Sequence, residues 1–187
     1  MNSTIDMYMV RAFFAVELTD DIRNQFYAVQ DILRNSDAKV TCVDPALAHI
    51  TMKFLGEISD DVMESVQEIM SEFTFKPTLI TVSGVQLHPK KRPRIVWADV
   101  TDGGWGEATV AEMDRLLAPL GIVSEDRKFT PHVTLGRIKH YDRSLRAAVE
   151  EISGYTFGQM TVDTITLKKS TLTPGGPIYE DIMEVKA

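Results

Sequence analysis

His49 and His132 are each followed two residues on by a threonine, in the stretches HITMKF and PHVTLGR. In an extended chain residues i and i+2 share a face, so each imidazole lies on the same side as a hydroxyl, Thr51 or Thr134. An imidazole exchanges protons near neutral pH, and a threonine hydroxyl can hold an anionic oxygen. Two such pairs facing one another suit phosphoester cleavage. One histidine takes a proton from the attacking water or hydroxyl, and the other gives one to the departing oxygen. At about 10² to 10⁴ in rate apiece, the two would together supply roughly 5 to 11 kcal/mol. The threonines would orient the phosphate and stabilise charge on its non-bridging oxygens.

A plainer role is a hydrogen-bonded strand histidine, and that is the expectation for His88 and His140, which have no threonine at +2. For His49 and His132 the residues alone leave both roles open. The core faces are already supplied by Ile50, Met52 and Phe54 in one strand and by Val133 and Leu135 in the other, so His and Thr must face something else. Competing chemistries lack their spacing: there is no H-E-x-x-H or H-x-H metal pattern, no G-x-S-x-G and no phosphate-binding P-loop. The one cysteine, Cys42, can form neither an internal disulfide nor a thiolate zinc site, and reads as a strand residue of the core. Arg137, near the end of the His132 strand, could reach a phosphate or pair with an acid.

The chain carrying these residues has 187 of them, 44% apolar and 25% charged, enough for one good-sized core. No apolar run approaches the roughly 18 to 20 residues of a membrane span, and the N-terminus lacks a signal-peptide pattern. A cytoplasmic protein is the expectation. A net charge of −7 argues against a protein that coats nucleic acid, but leaves room for a local anion site. Lys90, Lys91, Arg92 and Arg94 form the one dense basic stretch, either a solvated loop that blunts a strand edge or a mouth that receives phosphates.

Periodicity supplies the elements that must position the site. Val10, Ala12, Phe14, Val16 and Leu18 alternate as a strand, and Ile22, Phe26, Val29 and Leu33 stripe a helix that starts near Thr19 or Asp20. The strand at 49–54 leads to a helix capped by Ser59, with Val62, Val66, Ile69, Met70 and Phe73 inward. TLITVSGVQL and RIVWADV read as strands flanking the basic loop. A helix from Trp105 to Leu120 ends at Gly121, HVTLGRI is a strand, and Asp142 caps a short helix with Leu145, Val149 and Ile152 inward. MTVDTITLKKS and IYEDIMEV close the chain as two strands. No Gly/Ser linker divides it, and strand pairs joined by short turns favour α+β with mostly antiparallel pairing. The strand-then-helix order around the two motifs has the outline of an internal duplication.

HITMKFLGE and PHVTLGRI resemble the paired H-x-T-x signatures of the 2H phosphoesterase superfamily, in its RNA 2′,3′-cyclic phosphodiesterase (2′-5′ RNA ligase-like) branch. RAFFAVEL, RIVWADV and STLTPGGPIY, with Ser170, Leu172, Gly176, Pro177 and Tyr179, are similar to the family's opening, middle and closing segments. The resemblance implies one domain over 1–187: a bilobal α+β fold with two pseudo-symmetric lobes, two mostly antiparallel sheets around a central cleft, and helices outside. It implies hydrolysis of RNA 2′,3′-cyclic phosphate ends to 2′-phosphomonoesters without metal or cofactor. His49 would be the proton donor, His132 the acceptor, and Thr51 and Thr134 the phosphate ligands. Arg92, Arg94, Arg137 and Tyr179 are candidate substrate contacts. Partners would be RNA 3′ ends with a cyclic phosphate, tRNA halves among them, or small cyclic nucleotides, taken by a monomer. Alternatives are 2′-5′ ligation, opening of a nucleotide or ADP-ribose cyclic phosphate, or a non-catalytic module that binds RNA termini. Departures are small: Met52 stands where the family usually has Leu, and residues 1–6 precede the usual start as a loose or late-initiating N-terminal tail.

Overall fold

The computed structural model describes residues 9–187, so the expected tail at 1–6 lies outside the described residues. The elements run β1 (Met9–Glu17), α1 (Asp20–Arg34), β2 (Lys39–Cys42), β3 (His49–Ser59), α2 (Asp60–Ser71), β4 (Thr78–His88), β5 (Ile95–Thr101), α3 (Trp105–Leu117), β6 (His132–His140), α4 (Arg143–Glu151), β7 (Thr156–Val162), β8 (Thr164–Thr173) and β9 (Gly176–Lys186). The helices sit where the apolar stripes predict. α1 buries Ile22, Phe26, Val29 and Leu33. In α2 the Ser59 hydroxyl accepts from the Val62 N–H, and Asp60 and Asp61 occupy the positive end of the helix dipole. Its deepest side chains are Met63, Val66 and Met70, while Val62 and Ile69 flank them and Phe73 lies just past the last turn. α3 gives way at Leu117 to a 3-10 turn containing Pro119, and Gly121 ends it in the left-handed region at φ 76°. Asp142 caps α4 by accepting from the Ser144 N–H at 2.8 Å.

Every strand pair is antiparallel, in the order β7-β4-β5-β6-β3-β1-β8-β9, with β2 added on β6. The α+β architecture expected from the sequence is therefore present. Its two half-sheets, β7-β4-β5-β6 and β3-β1-β8-β9, are stitched edge to edge at one register pair, Ile50 with Val133. Helices α1 and α4 pack on β7 and β4 of one half; α2 and α3 pack on β3 of the other. Beyond the seam pair the two motif strands diverge and leave a groove between the halves.

Two sequence expectations change here. The stretch MTVDTITLKKS is not one strand: it breaks at Asp163 into β7 and β8, which belong to opposite halves. Asp163 accepts the Ala187 N–H on its backbone carbonyl and the Thr164 hydroxyl on its carboxylate. The break was written in the phase of the apolar residues, which moves from even positions (Met160, Val162) to odd ones (Ile165, Leu167) across it. The second change is in β3, where the register against β1 passes from Ala15↔Thr51 to Phe14↔Lys53, so that Met52 bulges. The bulge reverses the alternation. Lys53 turns inward beside the core, 5% exposed, and Phe54, expected in the core with Ile50 and Met52, turns out and is 49% exposed.

Candidate active site

A cleft of about 810 Å³ opens at the seam, and His49, Thr51, His132, Thr134, Arg137 and Tyr179 all line it. The seam pair explains the meeting of the motifs. With Ile50 opposite Val133 in antiparallel register, His49 falls on the Thr134 side and Thr51 on the His132 side. Ile50 and Val133 themselves point into the core, 3% and 0% exposed, and so anchor the two histidines from behind.

The imidazoles are held alike. His49 Nδ1 lies 2.8 Å from the Leu47 carbonyl oxygen, and His132 Nδ1 lies 2.8 Å from the Thr130 carbonyl oxygen. A carbonyl only accepts, so Nδ1 carries the proton in both rings, and Nε2 is the nitrogen left to exchange protons in the cleft. Each ring also has an aromatic backing from the neighbouring strand. Phe13 stacks on His49 with centroids 5.0 Å apart, and Trp97 lies 4.3 Å from His132. Tyr179 meets His49 edge-on at 5.4 Å.

A carboxylate stands across the ladder from each histidine, Glu17 from His49 and Asp99 from His132. Burial pushes both imidazoles below their ordinary value of 6.5; the backbone carbonyls and these carboxylates pull the other way without overcoming it. Both carboxylates are already engaged. Asp99 accepts from Gln86, and Glu17 pairs with Arg23 and, at 2.7 Å, with Lys168. Lys168 also reaches Asp181 at 2.5 Å. Burial opposes the charge on Lys168, but the two carboxylates outweigh it and hold its pKa above the ordinary value. Burial raises the Tyr179 hydroxyl, which stays a neutral donor despite the nearby Arg137, Arg11 and Lys168 charges.

Arg92 and Arg94 do not line the cleft. Their segment is tied down elsewhere: the Arg94 N–H donates to the His88 carbonyl, the Arg94 carbonyl accepts from Ile138, and Arg146 donates to the Lys90 carbonyl. The basic stretch is thus fastened to the end of β4, to β6 and to α4. The cleft's cationic groups are Arg137 and, unforeseen, Arg11. The alternation of RAFFAVEL contained that signal, because Arg11 and Phe13 share the face opposite Ala12 and Phe14. Phe54 was missed because nothing in the sequence announces the bulge. Cys42, expected in the core, is half-buried and lines the cleft, where burial keeps its thiol protonated. Among the described residues no three His, Cys, Asp or Glu side chains gather so as to hold a metal.

A groove at the junction of two antiparallel half-sheets, with an H-x-T pair from each, defines a class, and the chain belongs to it: residues 16–97 and 107–179 match the LigT-like phosphoesterase family. Similar proteins include one from Archaeoglobus fulgidus named RNA 2′,3′-cyclic phosphodiesterase, 36% identical over 176 residues that cover 92% of this chain and 98% of that one. A protein of the same name from Aquifex aeolicus is 35% identical over 95% of this chain and 97% of its own. The structure of Escherichia coli LigT complexed with 3′-AMP shares the fold, with a TM-score of 0.79 over 94% of this chain and 97% of that one at 21% identity.

Proposed function

We propose that this protein hydrolyses the 2′,3′-cyclic phosphate at RNA 3′ ends to a 2′-phosphomonoester. The observation that carries it is the matched pair of Nδ1–H···O=C bonds at His49 and His132, which commits both rings to the same tautomer within one cleft. The activity named for the Archaeoglobus fulgidus and Aquifex aeolicus relatives agrees with that chemistry.

In this reading His132 Nε2 takes a proton from water as its oxygen bonds to phosphorus. The P–O3′ bond breaks, and protonated His49 Nε2 gives its proton to the departing 3′ oxygen. One water is consumed and the two histidines exchange charge state, to be reset through solvent. Arg11 and Arg137 attract the phosphate, and Thr51 and Thr134 donate to its non-bridging oxygens. Phe54, half exposed at the cleft and backed by the buried Phe13 ring 6.0 Å away, offers an apolar surface for the nucleobase beside it.

The test is an oligonucleotide ending in a 2′,3′-cyclic phosphate, incubated with the protein in excess EDTA and resolved by chromatography. A 2′-phosphate end is expected. An unchanged substrate, or turnover that chelation abolishes, would overturn the metal-free proposal. Comparing a dinucleotide cyclic phosphate with a tRNA half in the same assay measures how much of the RNA is recognised.

A further inference from the structure

His88, for which the sequence suggested only a structural role, is stacked on the aromatic ring that backs His132. Its imidazole centroid lies 4.0 Å from that of Trp97 with the planes 18° apart, and His132 lies 4.3 Å from the same indole at 35°. The two histidines reach Trp97 from opposite sides, since β5 runs between β4 and β6. His88 is the β4 partner of Ile95, two residues before Trp97, and His132 is the β6 partner of Asp99, two residues after it. The result is a three-ring stack across three strands, with His132 at the cleft end and His88 at the far end.

Packing is what fixes the indole. Trp97 is 9% exposed, and among the described residues its ring N–H finds no hydrogen-bond partner. On the other side of the cleft, Phe13, the ring under His49, is itself braced by Tyr179 at 5.2 Å and Phe54 at 6.0 Å. Trp97 has His88 in the corresponding place. His132 is thus held at two points, by the Thr130 carbonyl at Nδ1 and by the indole against its ring face.

We propose that His88 is a positioning residue for His132: by clamping Trp97 from the far side, it fixes the plane in which His132 presents Nε2 to the attacking water. The inference rests on the reading of His132 as the proton acceptor. A second consequence follows from charge. His88 opposes protonation of His132, while Asp99 favours it. The other charged groups lining the cavity of about 360 Å³ that His88 and His132 share are Glu125 and Arg127 ahead of β6 and the Lys53–Asp114 and Lys128–Glu107 ion pairs. His88 therefore biases His132 toward the neutral form that can accept a proton.

Two variants separate ring from charge. His88→Ala removes both; His88→Phe keeps a flat ring against Trp97 and removes the ring nitrogens. His88→Ala is expected to lower kcat about tenfold with KM changed less than about twofold, because a misplaced base loses rate rather than binding. His88→Phe is expected to restore kcat to within about twofold of wild type. Proton NMR of the His132 ring supplies a readout independent of turnover, since its Hε1 shift senses the indole ring current. That shift should move in His88→Ala and stay in His88→Phe, and the His132 titration midpoint should rise in both. Wild-type kcat in His88→Ala, an unmoved His132 resonance and midpoint there, or a His88→Phe variant as slow as His88→Ala would overturn the inference. If wild-type protein proved inactive on cyclic phosphates, the functional reading would fail, and the NMR arm would still decide whether His88 holds and tunes His132.

Discussion

Ile50 pairs with Val133 across the seam of the two half-sheets, and each is the residue immediately following a cleft histidine. That single pair brings the two imidazoles to the same cleft. It also places the threonine of each motif beside the histidine of the other. The two cleft histidines are thus positioned by buried backbone pairing rather than by loops.

The order of proton transfer can be read with a substrate whose bridging 3′ oxygen is sulfur. A thiolate leaves without protonation, so a variant lacking the acid should recover on it and a variant lacking the base should not. On the oxygen substrate, His49→Ala and His132→Ala should each lose about 10² to 10⁴ in kcat. On the sulfur analogue His49→Ala should approach wild type while His132→Ala stays slow. The reverse pattern would exchange the two roles.

The pH dependence carries the signature of burial. Both imidazoles sit below their ordinary value of 6.5, and the proposed reaction needs His49 protonated with His132 neutral. The alkaline fall of kcat/KM, which reports the free enzyme, should therefore begin on the acid side of that value. Bound phosphate favours the His49 imidazolium, so the alkaline limb of kcat should lie at higher pH. Stability has the opposite sense. The unfolded chain binds these protons more readily than the folded one, so stability should be lost as pH falls through 6.5 toward the folded values and should not fall further on their account below them. Thermal melts across that range measure it.

Substrate attraction should depend on Arg11 and Arg137 and not on the basic loop. Arg137→Ala should raise KM about tenfold, the loss of one charge-assisted contact, and flatten the salt dependence of kcat/KM. Replacing Arg92 and Arg94 together should leave steady-state constants for a dinucleotide cyclic phosphate within about twofold, as expected for solvated charges outside the cleft. A large KM effect from the loop pair would reinstate it as a substrate contact.

Lys53 shows what the bulge costs and what offsets it. Its ammonium pairs with Asp114 at 2.5 Å and donates to the Val123 carbonyl at 3.2 Å, tying β3 to α3 and to the segment after Gly121. Lys53→Met removes both contacts and leaves the Asp114 carboxylate, 24% exposed, without its partner. Urea denaturation should show a loss of about 2 to 3 kcal/mol, toward the low end for breaking a buried pair because Asp114 keeps some solvent. The double variant with Asp114→Leu should recover part of it.

Much of this site could be read from the sequence because it is built on periodic elements. The alternation of HITM and HVTL aimed His49, Thr51, His132 and Thr134 at one side, and the helix stripes, the start near Thr19 or Asp20, and the caps at Ser59 and Asp142 marked the boundaries of the covering helices, with Gly121 ending the 3-10 turn after α3. What the sequence hid depended on partners. The bulge at Met52 exists only against β1, and it alone exchanges Lys53 for Phe54 on the cleft face. The loop of Lys90, Lys91, Arg92 and Arg94 advertised charge without direction, whereas Arg11 looked like one residue at a strand end. His88 lacked any motif, and its place in the stack depends on β4, β5 and β6 lying side by side.

The central claim is that His49 and His132 act as a proton-transfer pair on a cyclic phosphodiester. The most direct measurement is single-turnover opening of an RNA 2′,3′-cyclic phosphate by wild type, His49→Ala, His132→Ala and the double variant, with the product identified by phosphorus NMR. The pair predicts a 2′-phosphomonoester as the sole wild-type product, and a double variant about as slow as either single one, because neither histidine works without the other. A 3′-phosphate product, or single variants whose losses multiply in the double variant, would contradict it.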